Sequence, residues 1–309
     1  MRACYFLQTH TNPEQIHRLV RTLRRGSPGA FILLGHDFSA SHLDLTPLAD
    51  LSGIDLFPVA GPLDRAGLSI LEPYLTALDW LAERRVQFDW LIYLTGQDYP
   101  TLPLAESEAF LERSGRDGFL SYWDIQARDG YWGKSRRGLR RYLYQYRKVP
   151  RFVGWLKGLN SLQSRLHIST AYGTRLGLRA APSPFSARFP CYAGDQWHAL
   201  SAAAVAALRE ELRQQTALVE YFRHTLCPCE ALVQTLLVSR LGRRNGELHL
   251  ANDSLRYVDF TGSREGRPRI LTASDFATIT HGKYHFARKF DSRVDSAILD
   301  RLDEWIDRA

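Results

Sequence analysis

The sequence predicts an α/β protein with a mostly parallel, twisted central sheet flanked by helices, and three observations carry that expectation. Ala3 to Leu7 and Ala30 to Leu34 are short apolar runs separated by a helical stretch, and strand, helix, strand at this spacing implies parallel pairing through a right-handed crossover. Trp90 to Leu94 is an apolar run of aromatic and branched residues bounded by a charge and by glycine, the pattern of a buried central strand. It stops at Thr95-Gly96-Gln97-Asp98, closed by Tyr99-Pro100, so the chain turns sharply at the strand's carboxyl end, where open α/β sheets place their binding crevice.

In chain order, Asn12 and Pro13 start a helix as cap and first residue, and Ile16, Leu19, Val20 and Leu23 keep helical spacing until Gly26-Ser-Pro-Gly29 breaks it. Asp37, just past the second strand, stands where nucleotide-binding folds put an acid against a ribose or base edge; a solvated loop acid fits the same position. Ile54 to Val59 reads as a third, edge-like strand limited by Pro58, and Leu68 to Ala82 as a helix with Leu71, Leu75, Leu78 and Leu81 on one face. Leu104 to Leu111 is a short helix, and Gly118 to Tyr122 another strand.

The composition then changes. Tyr131 to Arg151 holds eight Lys or Arg with Trp132, Tyr142, Tyr144 and Tyr146 interleaved, and no acid occurs from Gly130 to Phe189. Aromatics among cations suit nucleic-acid stacking or sugar rings; no helix-turn-helix, RNA-recognition or zinc-finger wording accompanies them. Arg136, Arg137, Arg140 and Arg141 are expected at a rim that guides an anionic acceptor. Ser161 to Pro190 reads as a long loop across the site mouth. Ala193 to Trp197 opens a helix through Leu208 with Asp195 as cap, and Pro228-Cys229-Glu230 opens another with Leu232, Val233, Leu236 and Leu237 on its apolar face. Leu255 to Phe260 is a late strand, Thr272 to Phe276 caps a short helix, Phe286-Ala-Arg-Lys-Phe290 holds two cations between aromatics, and Leu299 to Ile306 makes a terminal helix.

With 309 residues, 45% hydrophobic, the chain can bury a large core, and a net charge of +7 favours anionic partners. The apolar runs are too short to span a membrane and residues 1 to 7 lack the core and cleavage site of a signal peptide, so the expected location is cytoplasmic, with peripheral contact at an inner membrane left open. Four cysteines do not make a disulfide framework; Cys227-Pro-Cys229 with His224 falls short of the four ligands of a structural zinc site, so buried thiols and no metal are expected.

Four segments in order, Trp90 to Pro100, Gly194-Asp195-Gln196-Trp197 with Leu200-Ser201, Pro228 to Leu237, and Leu255 to Phe290, resemble the core-2/I-branching glycosyltransferases, the family that includes the peptide xylosyltransferases. The resemblance implies a GT-A-like fold over residues 1–309, with a nucleotide-sugar half (1–125) and an acceptor and catalytic half (126–309). It implies inverting, metal-independent transfer, with Glu230 as the base and Lys289 on the diphosphate. Asp195 is the second choice of base, and an acid in the first turn of a helix is also placed by helix electrostatics alone. An upstream Arg should join Lys289, and Arg267 and Arg269 both lie near that position. Most enzymes of that fold hold the diphosphate through an Asp-x-Asp-bound metal; this chain has no Asp-x-Asp, and Arg288 with Lys289 can stand in, so no cofactor is expected. The donor side is expected to comprise Asp37, Gln97, Asp98, Arg267, Arg269, Arg288 and Lys289, and the acceptor side Asp195, Gln196, Trp197 and Trp132. Without the family's usual anchor, stem and cysteine-rich pattern, the chain looks like a bacterial, cytosolic relative. It should move a sugar, GlcNAc or xylose, from a UDP-sugar to a glycan, lipid-linked or protein hydroxyl, with no nucleic acid as partner. The alternative is a non-catalytic binding protein for anionic polysaccharide or nucleic acid.

Overall fold

The computed structural model describes residues 1–59, 61–127, 137–242, 248–262 and 267–308, the side chains of residues 137 and 240–242 excepted. Its centre is a seven-stranded sheet in the spatial order Leu250–Asn252, Gly118–Leu120, His198–Ser201, Trp90–Thr95, Ala3–Thr9, Phe31–His36, Ile54–Pro58. Every neighbouring pair is parallel except the two made by His198–Ser201, which runs against both flanking strands. The α/β class with a mostly parallel sheet is therefore as the sequence indicates. Trp90–Thr95 is the middle strand, and Ile54–Pro58, ending in proline, is an edge.

All seven residues of Ala3–Thr9 are buried, because helices cover both faces. Alternate side chains enter two different cores. Cys4 and Phe6 pack with Leu71, Tyr74 and Leu78 around the Glu72–Glu83 helix, whereas Tyr5 and Leu7 pack with Ile16, Leu19 and Leu23 of the Pro13–Gly26 helix. Asn12 does not cap that second helix with its side chain. It sits in left-handed backbone at φ 59°, and its Nδ2 donates instead to Asp291 Oδ1 at 3.1 Å and Ser292 Oγ at 3.0 Å, partners from the far end of the chain.

Three other expectations are corrected. The stretch from 161 to 190 is not a structureless loop: Leu166–Ser169 and Arg175–Arg179 form an antiparallel sheet with Tyr144–Lys148. Gly177, which suggests a break, is a mid-strand residue under a ring, since a Cβ there would lie 2.5 Å from Tyr146 Cε1. The same sheet buries Tyr144 and Tyr146 of the basic stretch, while Tyr142 packs against Phe222; all three are core and offer no face to a sugar. Residues 198–201 are strand rather than helix, and the helix begins only at Ala202–Gln214, capped by Ser201, whose Oγ accepts the Ala204 N–H at 3.1 Å. All four cysteines are free and buried.

Candidate active site

The loop after the central strand does more than turn. Asp98–Pro100 pairs antiparallel with Phe286–Arg288, in a register that sets Asp98 opposite Arg288. The Asp98 carboxylate is fully buried and accepts from Thr95, its N–H at 2.6 Å and its Oγ1 at 2.5 Å. Arg288 Nη1 stands 3.4 Å from Asp98 Oδ2, and Arg256 Nε 3.7 Å from Oδ1. Two buried cations thus share one buried anion, and the geometry explains their acidity: burial depresses both guanidinium pKa values, Arg256 to about 10, against the pull of Asp98. Arg288 also lies over the Trp197 ring, 3.6 Å from its centroid. Arg288 is therefore a paired, buried cation.

The antiparallel sense of His198–Ser201 brings the residues before it to the same edge as the carboxyl ends of the parallel strands. Asp195, Gln196 and Trp197 consequently stand beside Asp98 and Arg288. Asp195 Oδ2 accepts from Ser121 Oγ at 2.9 Å and its carbonyl from Gln234 Nε2 at 2.5 Å, so it ties two strand ends to the Leu232–Gln234 helix and does not cap the Ala202–Gln214 helix. Gln196 donates to the Tyr93 hydroxyl, which donates to Gln8. Gly194 is required by close approach, since a Cβ would lie 1.7 Å from the Ser121 carbonyl oxygen; its N–H donates to the Glu230 carbonyl at 2.8 Å.

Glu230, at the end of the Pro228–Glu230 turn, is partly exposed and ion-paired with Arg141. Burial works against the Arg141 charge, but Glu230 outweighs it and raises the pKa. Arg141 is thus not a rim residue: of the expected rim, only Arg140 is described as exposed, Arg136 and the Arg137 side chain lying outside the described residues, as does Trp132. Tyr172 adjoins this pair and carries Arg65 over its ring at 5.8 Å.

Arg65 links the two sides of the mouth. Lys289 has no hydrogen bond or ion pair from its side chain among the described residues, and burial together with the charges of Arg288, Arg267 and Arg65 lowers its pKa. The two upstream arginines differ in their surroundings: Arg269 is held by Asp259 at 2.5 Å and Asp275 at 2.5 Å, whereas Arg267 is exposed and acts on Lys289. Gln97 joins through its backbone, its carbonyl accepting the Phe290 N–H at 2.9 Å. Asp37 is buried, turned onto Ser39 at 2.9 Å, with His10 in electrostatic range at the adjacent strand end.

The sequence model of the core-2/I-branching enzymes matches residues 5–280. The chain belongs to the core-2/I-branching family. No curated protein matches it. Among solved structures, one similar chain is a Bacillus anthracis protein described as a glucose-1-phosphate thymidylyltransferase, solved with sucrose, at 8% identity and TM-score 0.32 over 71% of this chain and 82% of that one.

This core-2/I-branching enzyme is accordingly a member of a glycosyltransferase family, and the site just described lies within the matched region apart from residues 285–290. No helix among the described residues is long and apolar enough to cross a membrane. Sequence reading misses Arg65, Tyr172, Arg256 and the pairing of Arg141 with Glu230. Arg256 alone carried a signal, a cation inside a stretch that reads as strand; Arg65 sits in a Gly- and Pro-bearing segment that gives none.

Proposed function

We propose that this protein is an inverting glycosyltransferase that moves a sugar from a UDP-sugar to an acceptor hydroxyl, with Glu230 as base and cationic side chains in place of a metal. The observation that carries this reading is the position of Lys289, with no carboxylate bonded to it among the described residues, in electrostatic range of Arg65, Arg267 and Arg288, whose combined charge outweighs that of the nearby Asp291 and would favour an anion. A departing diphosphate is such an anion, and fixed cations stabilise its developing charge. The chain carries no Asp-x-Asp, which supports the metal-independent form. Arg267 and Lys289 would grip the phosphates, with Arg65 between them and the acceptor side. Arg269, already neutralised by two carboxylates, would hold its strand in place. Asp37 at the neighbouring strand end suits the nucleoside. GlcNAc and xylose remain the donor sugars this family resemblance favours, and the acceptor is a glycan, lipid-linked or protein hydroxyl.

Proton removal is local. Glu230 would accept the acceptor's proton as its oxygen attacks the anomeric carbon from the face opposite the diphosphate, and the bond to the diphosphate breaks as the new one forms. Arg141 would hold the carboxylate in place until the acceptor arrives.

UDP, with EDTA present, is expected to raise the melting temperature, by an amount equivalent to about 2.7 kcal/mol at a hundred times Kd. A shift that appears only with added Mn²⁺ or Mg²⁺ would overturn the metal-independent form. Lys289→Ala should weaken UDP by ~1.5–3 kcal/mol, the range for a charge-assisted hydrogen bond. Because the Lys289 pKa is lowered, its cation is lost at a lower pH than an exposed lysine's, and UDP affinity should fall on the alkaline side in the parent but not in Lys289→Ala. Titration calorimetry across pH checks both.

A further inference from the structure

The segment that follows the buried tyrosines is built inside out. Arg151–Ser161 is a 3-10 helix with no buried residue, and its sequence, Arg-Phe-Val-Gly-Trp-Leu-Lys-Gly-Leu-Asn-Ser, is rich in large apolar side chains. Three residues per turn divide it into three ridges. One ridge faces the hairpin of Leu166–Ser169 and Arg175–Arg179: Gly154 meets Thr170, where a Cβ would lie 3.3 Å from Cγ2; Lys157 Nζ reaches Thr170 Oγ1 at 3.5 Å; and Asn160 bonds both the N–H and the carbonyl of Ile168, at 2.8 and 2.9 Å. On the other two ridges Val153 and Leu156 are half-buried and the remaining described side chains are exposed. Phe152 is 71% exposed and Trp155 77%, with Leu159 and Leu162 at 42% and 77%. Leu178, 57% exposed, and its cross-strand partner Leu166 add a further apolar pair on the hairpin. Isolated exposed leucines are ordinary, but six large apolar side chains on one helix and the strands beside it mark a contact surface.

Charge decides what covers it. Arg147, Arg151, Lys157, Arg165 and Arg179 are exposed on these same elements, and none has a carboxylate partner among the described residues. No acid lies anywhere from residue 130 to 189. A second copy docking by the same face would set these cations against their own counterparts, which opposes a symmetric pair. Nucleic acid would use the cations and the two aromatics but leave four leucines in water. Trp and Phe with leucines, ringed by Arg and Lys, with Asp64 of the preceding segment already paired with Lys148 and Arg175, match the headgroup region of an anionic bilayer, where rings and leucines enter the acyl boundary and the cations stay at the phosphates.

We propose that the Arg151–Ser161 helix and the adjoining hairpin form a membrane-docking face for anionic lipid. The hairpin's turn carries Tyr172, which adjoins Arg141 and Glu230, so docking would set the mouth of the site near the lipid surface. The docking itself is independent of the transfer reading, and its test needs no turnover.

Sedimentation of the full chain with extruded phosphatidylcholine vesicles, with and without phosphatidylglycerol, tests it. Pelleting is expected with the anionic vesicles alone and should diminish with salt. Phe152→Ser/Trp155→Ser should weaken it by at least ~tenfold. The melting temperature should not change, both side chains being exposed. Arg151→Gln/Arg165→Gln/Arg179→Gln should weaken binding and flatten its salt dependence. The proposal is overturned if the parent ignores anionic vesicles, if the Phe152/Trp155 double variant binds as the parent does, if light scattering finds a dimer that this variant dissociates, or if the face binds an RNA oligomer but no vesicle.

Discussion

Glu230→Gln is expected to lower UDP-sugar turnover by at least about a hundredfold, the lower end for loss of a positioned general base, while UDP binds within a factor of a few of the parent. Hydrolysis of the UDP-sugar, water standing in for the acceptor, is a sufficient assay because water must also lose a proton. Gln keeps the size of Glu and cannot take that proton. It also removes the carboxylate paired with Arg141, which is only 13% exposed against 33% for Glu230, so some stability should be lost with the activity. The double variant Arg141→Gln/Glu230→Gln separates the two effects. It removes both charges, so stability should recover toward the parent while turnover stays low. Turnover recovering along with stability would show that Glu230 serves only as Arg141's partner. Near-parental turnover in Glu230→Gln itself would move the base to Asp195, whose carboxylate is bonded to Ser121.

The parts of this protein that were legible in its sequence are those set by local pattern. The run from Trp90 to Leu94 is apolar throughout because the strand is covered on both faces, and it is the middle strand of the sheet. The Arg-Lys pair between two phenylalanines stood out by its neighbours, whereas the glutamate of the Pro-Cys-Glu turn is placed as readily by helix electrostatics and was singled out only by the family resemblance. Pairings across long sequence separations were not legible: Arg288 meets Asp98 across 190 residues and Arg141 meets Glu230 across 89, and nothing local fixes either register. The strand at His198–Ser201 was obscured by the alanine-rich helix directly after it, whose helical spacing extends backward over the strand. Arg141 looked like one of four equivalent arginines because a basic run hides which member has a partner across the fold.

Asp98→Ala should destabilise the fold by about 3–5 kcal/mol, the range for removing one member of a buried ion pair. Asp98 is fully buried, and Arg256 and Arg288 on either side of it are 7% exposed each. Among the described residues neither has another carboxylate in hydrogen-bond contact; Arg256 otherwise donates to the carbonyls of Ser254 and Tyr93, and Arg288 rests on Trp197. Removing the anion therefore strands two cations where burial already depresses their pKa values, and the strand pairing of Asp98–Pro100 with Phe286–Arg288 loses the ion pair at its end. The loss should also reach the site, since Lys289 follows Arg288 directly and Gln97 precedes Asp98. UDP affinity should fall in parallel, although Asp98 itself is sealed from solvent. Urea denaturation of Asp98→Ala, Arg288→Met and the double variant measures the coupling. The double variant should be markedly more stable than the sum of the single losses allows, because Met leaves only Arg256 unpaired. Additive losses, or a single loss below about 1 kcal/mol, would reduce the Asp98–Arg288–Arg256 cluster to a weak contact and leave the meeting of these two strands to backbone pairing and the packing of Phe286 and Phe290.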